Sequence, residues 1–278
     1  MRSLLFALAL CACSARDVDT SAAPEGEGIV TDSAAAAPTS AAIAADSARR
    51  DSAAAPAAGA RRPAKPAPDV VRALYVNRWG AQSTRRMQKF IAIADTTEIN
   101  ALVIDMKDEF GLNYRSSDPL VQKNAGNAGV VPRLEALLDT LHAHDILPIA
   151  RIVVFKDSVA ARVNPDHVIR KPDGTPWRDK EGLTWVNPYD EAIWEYNFRV
   201  AEELVKLGFG EVQFDYIRFP EPYRSLPQQV FPKANNRSKP DAIAEFLRAA
   251  NARLDKLGVR TTADIFGLVT TVNGPLEI

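Results

Sequence analysis

Beyond position 13 this 278-residue chain contains no cysteine; its two cysteines, Cys11 and Cys13, stand close to the start. Whatever folds downstream therefore has no disulfide, no thiolate nucleophile and no cysteine-bound metal. Histidine is almost as scarce, at His142, His144 and His167. The first two are two residues apart, so on a helix they do not share a face as the histidines of an H-E-x-x-H metal site do. The reading therefore assigns no metal and no cofactor, and leaves only Asp and Glu as ligands for any divalent ion. A glycine-rich phosphate loop is lacking too, because Asn77-Arg78-Trp79-Gly80 has the wrong spacing for a dinucleotide fingerprint. Ser225 and the other serines have no nucleophile-elbow context. A net charge of -1 gives no reason to expect nucleic acid.

What the chain does have divides near residue 69. Met1-Arg2-Ser3 is a brief positive start, and the apolar run Leu4 to Ala12 is far too short to cross a bilayer as a stable helix. The run ends Leu10-Cys11-Ala12-Cys13-Ser14, which resembles a bacterial lipoprotein signal, with a small residue before a cysteine that is cleaved and lipidated. Cys13 fits that pattern better than Cys11, which follows the bulky Leu10. The alternative is an ordinary secretory signal that happens to contain cysteines. Lipidation at Cys13 would make the membrane a partner without a spanning helix, and place the protein in the bacterial cell envelope on the periplasmic side of the outer membrane. Residues 14–68 are rich in Ala and Pro and contain no aromatic residue. Such a segment buries too little apolar surface to offset its ordering entropy, so it reads as a disordered tether. The arginines at 49, 50, 61 and 62 belong to that solvated segment.

From residue 69 onward, strand and helix alternate. Strands are expected at Val71–Val76, Ile99–Met106, Ile146–Phe155, Glu211–Arg218 and Thr261–Phe266. Helices are expected at Thr84–Ala94, after Val131-Pro132, after Asn187-Pro188 with Asp190 and Glu191 in the first turn, and after Ser238-Lys239-Pro240-Asp241, which resembles a capping box. Gly208 and Gly258 mark the ends of the last two. Such repeats argue for an α/β fold with a parallel sheet under helices. Polar strand ends and the missing phosphate loop favour a (β/α)8 TIM barrel over a doubly wound sheet, with about five β/α units present in this chain and the C-terminal part of the barrel expected to be missing.

Alternation along strands gathers chemistry on one face. Tyr75 shares a face with Asn77, Asp105 with Lys107 and Val103, Arg151 with Ile149, Asp215 with Gln213, and Asp264 with Thr262. Asp215 and Asp264 stand at the ends of strands expected to be adjacent. One carboxylate can attack an anomeric carbon or activate water while a protonated partner donates to the leaving oxygen, so the pair suits glycosidic cleavage. Arg151 would supply counter-charge to Asp215, and Asp105, Lys107 and Arg151 would position substrate or tune charge. Trp79, Trp177, Trp185, Tyr216 and Phe219 are candidate walls for stacking sugar rings, with ordinary packing the equal alternative for each, and Arg218 follows Asp215 in the same stretch. The bland alternative for every one of these acids and bases is a structural ion-pair network. The long stretch Lys156–Trp185 reads as a binding loop or an excursion from the scaffold.

Three stretches, Val71–Val76, Asn100–Asp108 and above all Val212-Gln213-Phe214-Asp215-Tyr216-Ile217-Arg218-Phe219-Pro220, resemble the glycoside hydrolase-like TIM-barrel family of the DUF4015 group. The resemblance covers about residues 69–278. It implies a barrel of the α-glycosidase type with a nucleophile-like carboxylate after strand four, which falls on Asp215. In the wider α-amylase-like group an acid follows strand five, where this chain has Asp264 in place of the usual glutamate. The arginine common two residues before the nucleophile is Gln213 here. The implied activity is hydrolysis of glycosidic bonds in a poly- or oligosaccharide; the alternative is a non-catalytic carbohydrate-binding or envelope-structural barrel.

Overall fold

The computed structural model describes residues 68–271. Cys13, the signal segment and the tether, Pro68 excepted, lie outside them. Five strands run parallel: β1 (Ala73–Val76), β2 (Ala101–Asp108), β4 (Leu147–Val153), β5 (Glu211–Asp215) and β6 (Arg260–Ala263). The two-residue β3 (Gly111–Leu112) folds back antiparallel onto β2. The parallel strands lie side by side in chain order, β1-β2-β4-β5-β6. A doubly wound sheet reverses its order at a switch point, whereas a β/α barrel adds each strand beside the last. The observed order is that of the barrel, and five parallel strands are present among the described residues.

Helices α1 (Arg78–Ala81), α2 (Thr84–Thr96), α3 (Pro119–Gln122), α4 (Leu134–Ala143), α5 (Ser158–Val163), α6 (Glu191–Leu207) and α7 (Lys239–Leu254) occupy the connections. The long ones start and stop where side chains satisfy end groups. Ser238 accepts from the Asp241 N–H at 3.2 Å and donates its hydroxyl to the Asp241 carboxylate at 2.6 Å, capping the helix at the residue that the sequence suggests. Gly208, at φ 115, ends α6 in the left-handed region that favours glycine. The start of α6 differs from expectation: Asp190 is the cap, accepting from the Ala192 N–H, and only Glu191 lies in the first turn. The α4 start also shifts, because Arg133 adopts φ 50 and delays the helix to Leu134.

Most of the core lies between sheet and helices. Phe246 of α7 packs within 5.2 to 5.9 Å of the Phe155, Trp194, Phe198 and Phe214 rings, binding α7 and α6 to the back of β5. The opposite face of the sheet carries a separate small cluster of Ala101, Leu147 and Ile149 with Val71 and Val103. These residues lie toward the strand starts and seal that end. The same face at the strand ends is left to polar groups, as a barrel's C-terminal mouth is.

One strand breaks the simple alternation. The pairing of β2 with β4 runs in step to Asp105 opposite Arg151, then shifts so that Lys107 stands opposite Ile152. The extra residue is a β-bulge, and it turns everything after it to the other face. Lys107 accordingly points away from the face that carries Asp105. It is fully buried, pairs with Asp157 at 2.7 Å, donates to the Val153 carbonyl and lies over the Tyr196 ring. The expectation that Lys107 joins the Asp105 face is corrected by that bulge.

Candidate active site

β5 ends at Asp215 and not at Arg218, because Tyr216 takes φ 51 and breaks the extended run. A non-glycine residue there costs roughly 1–2 kcal/mol, and the surrounding bonds hold it. The Asp215 carbonyl accepts from the Val154 N–H at 2.8 Å, and the Tyr216 carbonyl accepts from Phe155 N–H at 3.3 Å. From the other side, the Asp264 N–H donates to the Phe214 carbonyl at 2.8 Å and extends the ladder past β6. The acids at the ends of these two strands are thus placed by backbone pairing.

Five side chains, one from the end of each parallel strand, meet along this rim. Tyr75 of β1 donates its hydroxyl to Asp105 at 2.6 Å. Asp105 of β2 accepts from Arg151 Nη1 at 2.5 Å. Arg151 of β4 gives Nε to Asp215 Oδ2 at 2.9 Å and Nη2 to the same oxygen. The other oxygen of Asp215 accepts from the Tyr216 N–H at 2.6 Å. Asp264, just past β6, faces the same concavity as Asp215. Asp264, Asp215, Arg151, Tyr216 and Arg218 line one concavity of about 300 Å³, closed at its edge by Ile265 to Gly267.

Electrostatics separates these groups. Burial lifts the Asp264 carboxyl above its ordinary value, the neighbouring Asp215 charge lifts it further, and Arg151 opposes both. Burial also raises Asp105, against the pull of Arg151 and the Tyr75 hydroxyl. Burial and the Asp105 carboxylate push the Tyr75 phenol up. For Arg151 burial works against the charge, but the two carboxylates outweigh it and hold the guanidinium firmly protonated.

The remaining predicted residues divide. Tyr216 lies edge-on to Trp185 at 5.8 Å, with Lys156 and Arg218 over its ring. Arg218 packs on Phe266 and Trp185, and pairs with Glu221 at 3.1 Å. Trp79 is half exposed and leans on Phe110, away from the Asp215 concavity. Trp177, Trp185 and Phe219 are buried and do not offer free faces. Their burial has a cause in the long connections: the Trp177 indole donates to the Pro227 carbonyl and the Trp185 indole to Asp179, so the loops after β4 and β5 knit together around them. Lys107 is not brought to the site, for the reason given above.

Two participants were not read from sequence. Lys156 pairs with Glu181 at 2.7 Å beside Tyr216, and Glu181, Asp179 and Tyr216 together outweigh burial to raise its pKa. Arg78 is buried, and binds both oxygens of Asp108 at 2.7 Å. A carboxylate 30 residues away gives no periodic signal, although an arginine beside an exposed tryptophan at a strand end is the kind of position to inspect. Among the described residues no group of three or more His, Cys, Asp or Glu is placed to hold a metal ion.

A crystal structure of a hypothetical protein from Ruminiclostridium thermocellum is similar to this chain at 36% identity and a TM-score of 0.63, covering 70% of this chain and 99% of that one. An exo beta-N-acetylglucosaminidase from Vibrio harveyi is similar in fold at 17% identity and a TM-score of 0.53, over 69% of this chain and 35% of that one. A Flavobacterium johnsoniae chitobiase is similar at 12% identity and a TM-score of 0.52, over 70% of this chain and 31% of that one. The chain thus spans about a third of each of these two glycosidases, and the likeness concerns the barrel fold alone. No curated protein matches the chain. The DUF4015 family, described as "Putative glycosyl hydrolase domain", matches residues 73–278, and the chain belongs to that family.

Proposed function

We propose that this protein hydrolyses glycosidic bonds in a poly- or oligosaccharide, with Asp215 as nucleophile or electrostatic stabiliser and Asp264 as general acid/base. The observation that carries the reading is the convergence of five strand ends on one rim, terminating in two unlike carboxyl groups. Asp264, raised by burial and by Asp215, retains its proton longer and donates it to the leaving oxygen as the C–O bond breaks. Asp215, with Arg151 as counter-charge, meets the developing positive charge at the anomeric carbon. Water then adds to that carbon and returns a proton to Asp264. Asp215 and Asp264 line the same concavity, where a retaining pair works at about 5–5.5 Å and an inverting pair at roughly 6.5–9.5 Å.

The competing reading is a carbohydrate-binding barrel without turnover. It is favoured by one observation: both Asp215 oxygens already hold donors, from Arg151 and the Tyr216 N–H. A hydrolysis assay over a glycan panel separates the two. Turnover that disappears in Asp215→Asn, with sugar binding kept, supports catalysis; turnover unchanged in that variant sinks the assignment.

We further propose that Cys13 carries a lipid and that segment 14–68 tethers the barrel to the periplasmic face of the outer membrane. The support is the short apolar run with a small residue before Cys13. Among the described residues no helix is long and apolar enough to cross a membrane. Radiolabelled palmitate entering the wild type but not Cys13→Ala is the expected result, and equal labelling refutes the anchor.

A further inference from the structure

We infer that Trp79 and Phe110 form a second carbohydrate subsite, an aromatic platform on the β1–β2 side of the rim, so that the ligand is an extended glycan chain and not a single terminal sugar. The inference rests on the glycan reading above, but not on Asp215 chemistry.

Trp79 is 53% exposed and Phe110 47%, and their rings meet at 6.0 Å with planes inclined by 53°. A single exposed aromatic needs no explanation. This pair is different because of how it is mounted. Trp79 belongs to α1, which follows β1, and Phe110 stands at the turn between β2 and β3. The buried guanidinium of Arg78 joins the two. Besides both oxygens of Asp108, it binds the Leu112 carbonyl at 3.2 Å, the Gly129 carbonyl at 2.9 Å and the Gly111 carbonyl. Asp108 in turn accepts from the Phe110 N–H at 2.9 Å. All of the guanidinium's donor positions are engaged, which fixes the backbone on both sides of the aromatic pair. Gly111, at φ 100, completes the turn, since a Cβ there would come within 2.2 Å of the Ala125 carbonyl oxygen.

Two wet aromatic faces held rigidly are preorganised for a partner that is apolar on one face and polar at its edges. A pyranose ring has that character: its C–H face stacks and its hydroxyls remain in water. On the same β1, exposed Tyr75 is hydrogen-bonded to Asp105, and through it linked to Arg151 and Asp215. From β1 to β5 is three strand spacings, roughly 14 Å along the sheet, the length of a short run of linked sugars.

The chain supplies its own probe. Of its four tryptophans, Trp177, Trp185 and Trp194 are buried, so quenching by acrylamide reports chiefly on Trp79. The experiment uses the full chain carrying Asp215→Asn, to stop turnover, titrated with chitotetraose, cellotetraose, maltotetraose and α-1,4-galacturonotetraose, and with the corresponding methyl monosaccharides. At least one tetraose is expected to shield Trp79, with about tenfold weaker binding in Phe110→Ala. Isothermal titration of Trp79→Ala is expected to show the same loss. No shielding by any tetraose overturns the inference, as does a tetraose that protects no better than its methyl monosaccharide. Shielding that depends on protein concentration and ignores sugar also overturns it, and identifies a self-association surface. Turnover of a tetraose by the wild-type chain, without shielding of Trp79 in the Asp215→Asn chain, leaves the hydrolase reading standing and removes the platform alone.

Discussion

Arg151 grips Asp215 from the neighbouring strand through two nitrogens on a single carboxylate oxygen, Nε at 2.9 Å and Nη2 beside it. Its third nitrogen, Nη1, is held by Asp105, itself held by Tyr75. The guanidinium is therefore fixed from both sides and leaves Asp215 little rotational freedom.

Arg151→Met leaves two mostly buried carboxylates without their counter-charge. Breaking such a pair typically costs about 3–5 kcal/mol, so chemical denaturation should show a loss of that order and any glycosidase activity should vanish. Arg151→Lys keeps the charge but loses the fork. It is expected to recover most of the stability and little of the activity; full activity in the lysine variant contradicts a positioning role for the guanidinium.

Asp264 makes a pH-dependent contribution whose sign is set by its raised pKa. The folded state binds its proton more tightly than the unfolded chain, whose Asp titrates near 3.9. Folded protein therefore holds more protons than unfolded protein as pH rises above about 4, and this group's contribution to stability falls through that interval. Asp264→Asn should be more stable than wild type at neutral pH, with the difference shrinking on acidification. Denaturant midpoints measured from pH 3 to 8 test this; a difference that grows on acidification refutes it. In an active protein the same titration sets the alkaline fall of the rate.

The sequence made the strand order and the Asp215–Asp264 neighbourhood legible for a simple reason. Buried parallel strands carry long apolar runs, and a carboxylate at the end of such a run stands out. Asp105 and Arg151 were placed on the right face because two-residue alternation holds until a strand is interrupted. It failed at Lys107 because a bulge is one extra residue, with no composition of its own in Asp105-Met106-Lys107. Which aromatics pack and which stay free was illegible for a different reason. Trp177 and Trp185 belong to long irregular connections, where burial depends on what the loop after β5 brings back over them, and that contact spans 50 residues from Trp177 to Pro227. Local patterning carries no record of it.

Lys107 and Asp157 give the sharpest test of the corrected assignment. The pair is buried to within 1% exposure at 2.7 Å, and Tyr196 flanks the lysine. Lys107→Met should cost about 3–5 kcal/mol by stranding Asp157. Adding Asp157→Leu should restore much of that loss, since a well-packed apolar pair can replace a buried ion pair. A double-mutant cycle in urea measures the coupling. If Lys107 instead faced substrate, the single variant would lose binding with little change in stability.

Glu203 predicts the opposite pH behaviour to Asp264. Burial works to raise its pKa, but it accepts from Ser116 at 2.6 Å, from the Ser117 N–H at 2.6 Å, from Tyr114 at 2.9 Å and from the Ser117 hydroxyl at 2.9 Å, and these donors win. A depressed folded pKa means stability that is complete above the unfolded value near 4.3 and lost as pH falls through the folded value. Those bonds fasten the 114–118 segment to α6, so acid should loosen that segment first. The protection of the Ser117 amide, which is one of the donors, should fall below about pH 4 when its exchange is compared with the intrinsic rate at each pH. Glu203→Gln keeps the shape but removes the charge. It should exchange faster at pH 7 and lose the acid dependence, whereas an acid limb of unchanged steepness would assign the effect to another carboxylate such as Asp190, which His167 and Lys233 also hold below its usual range.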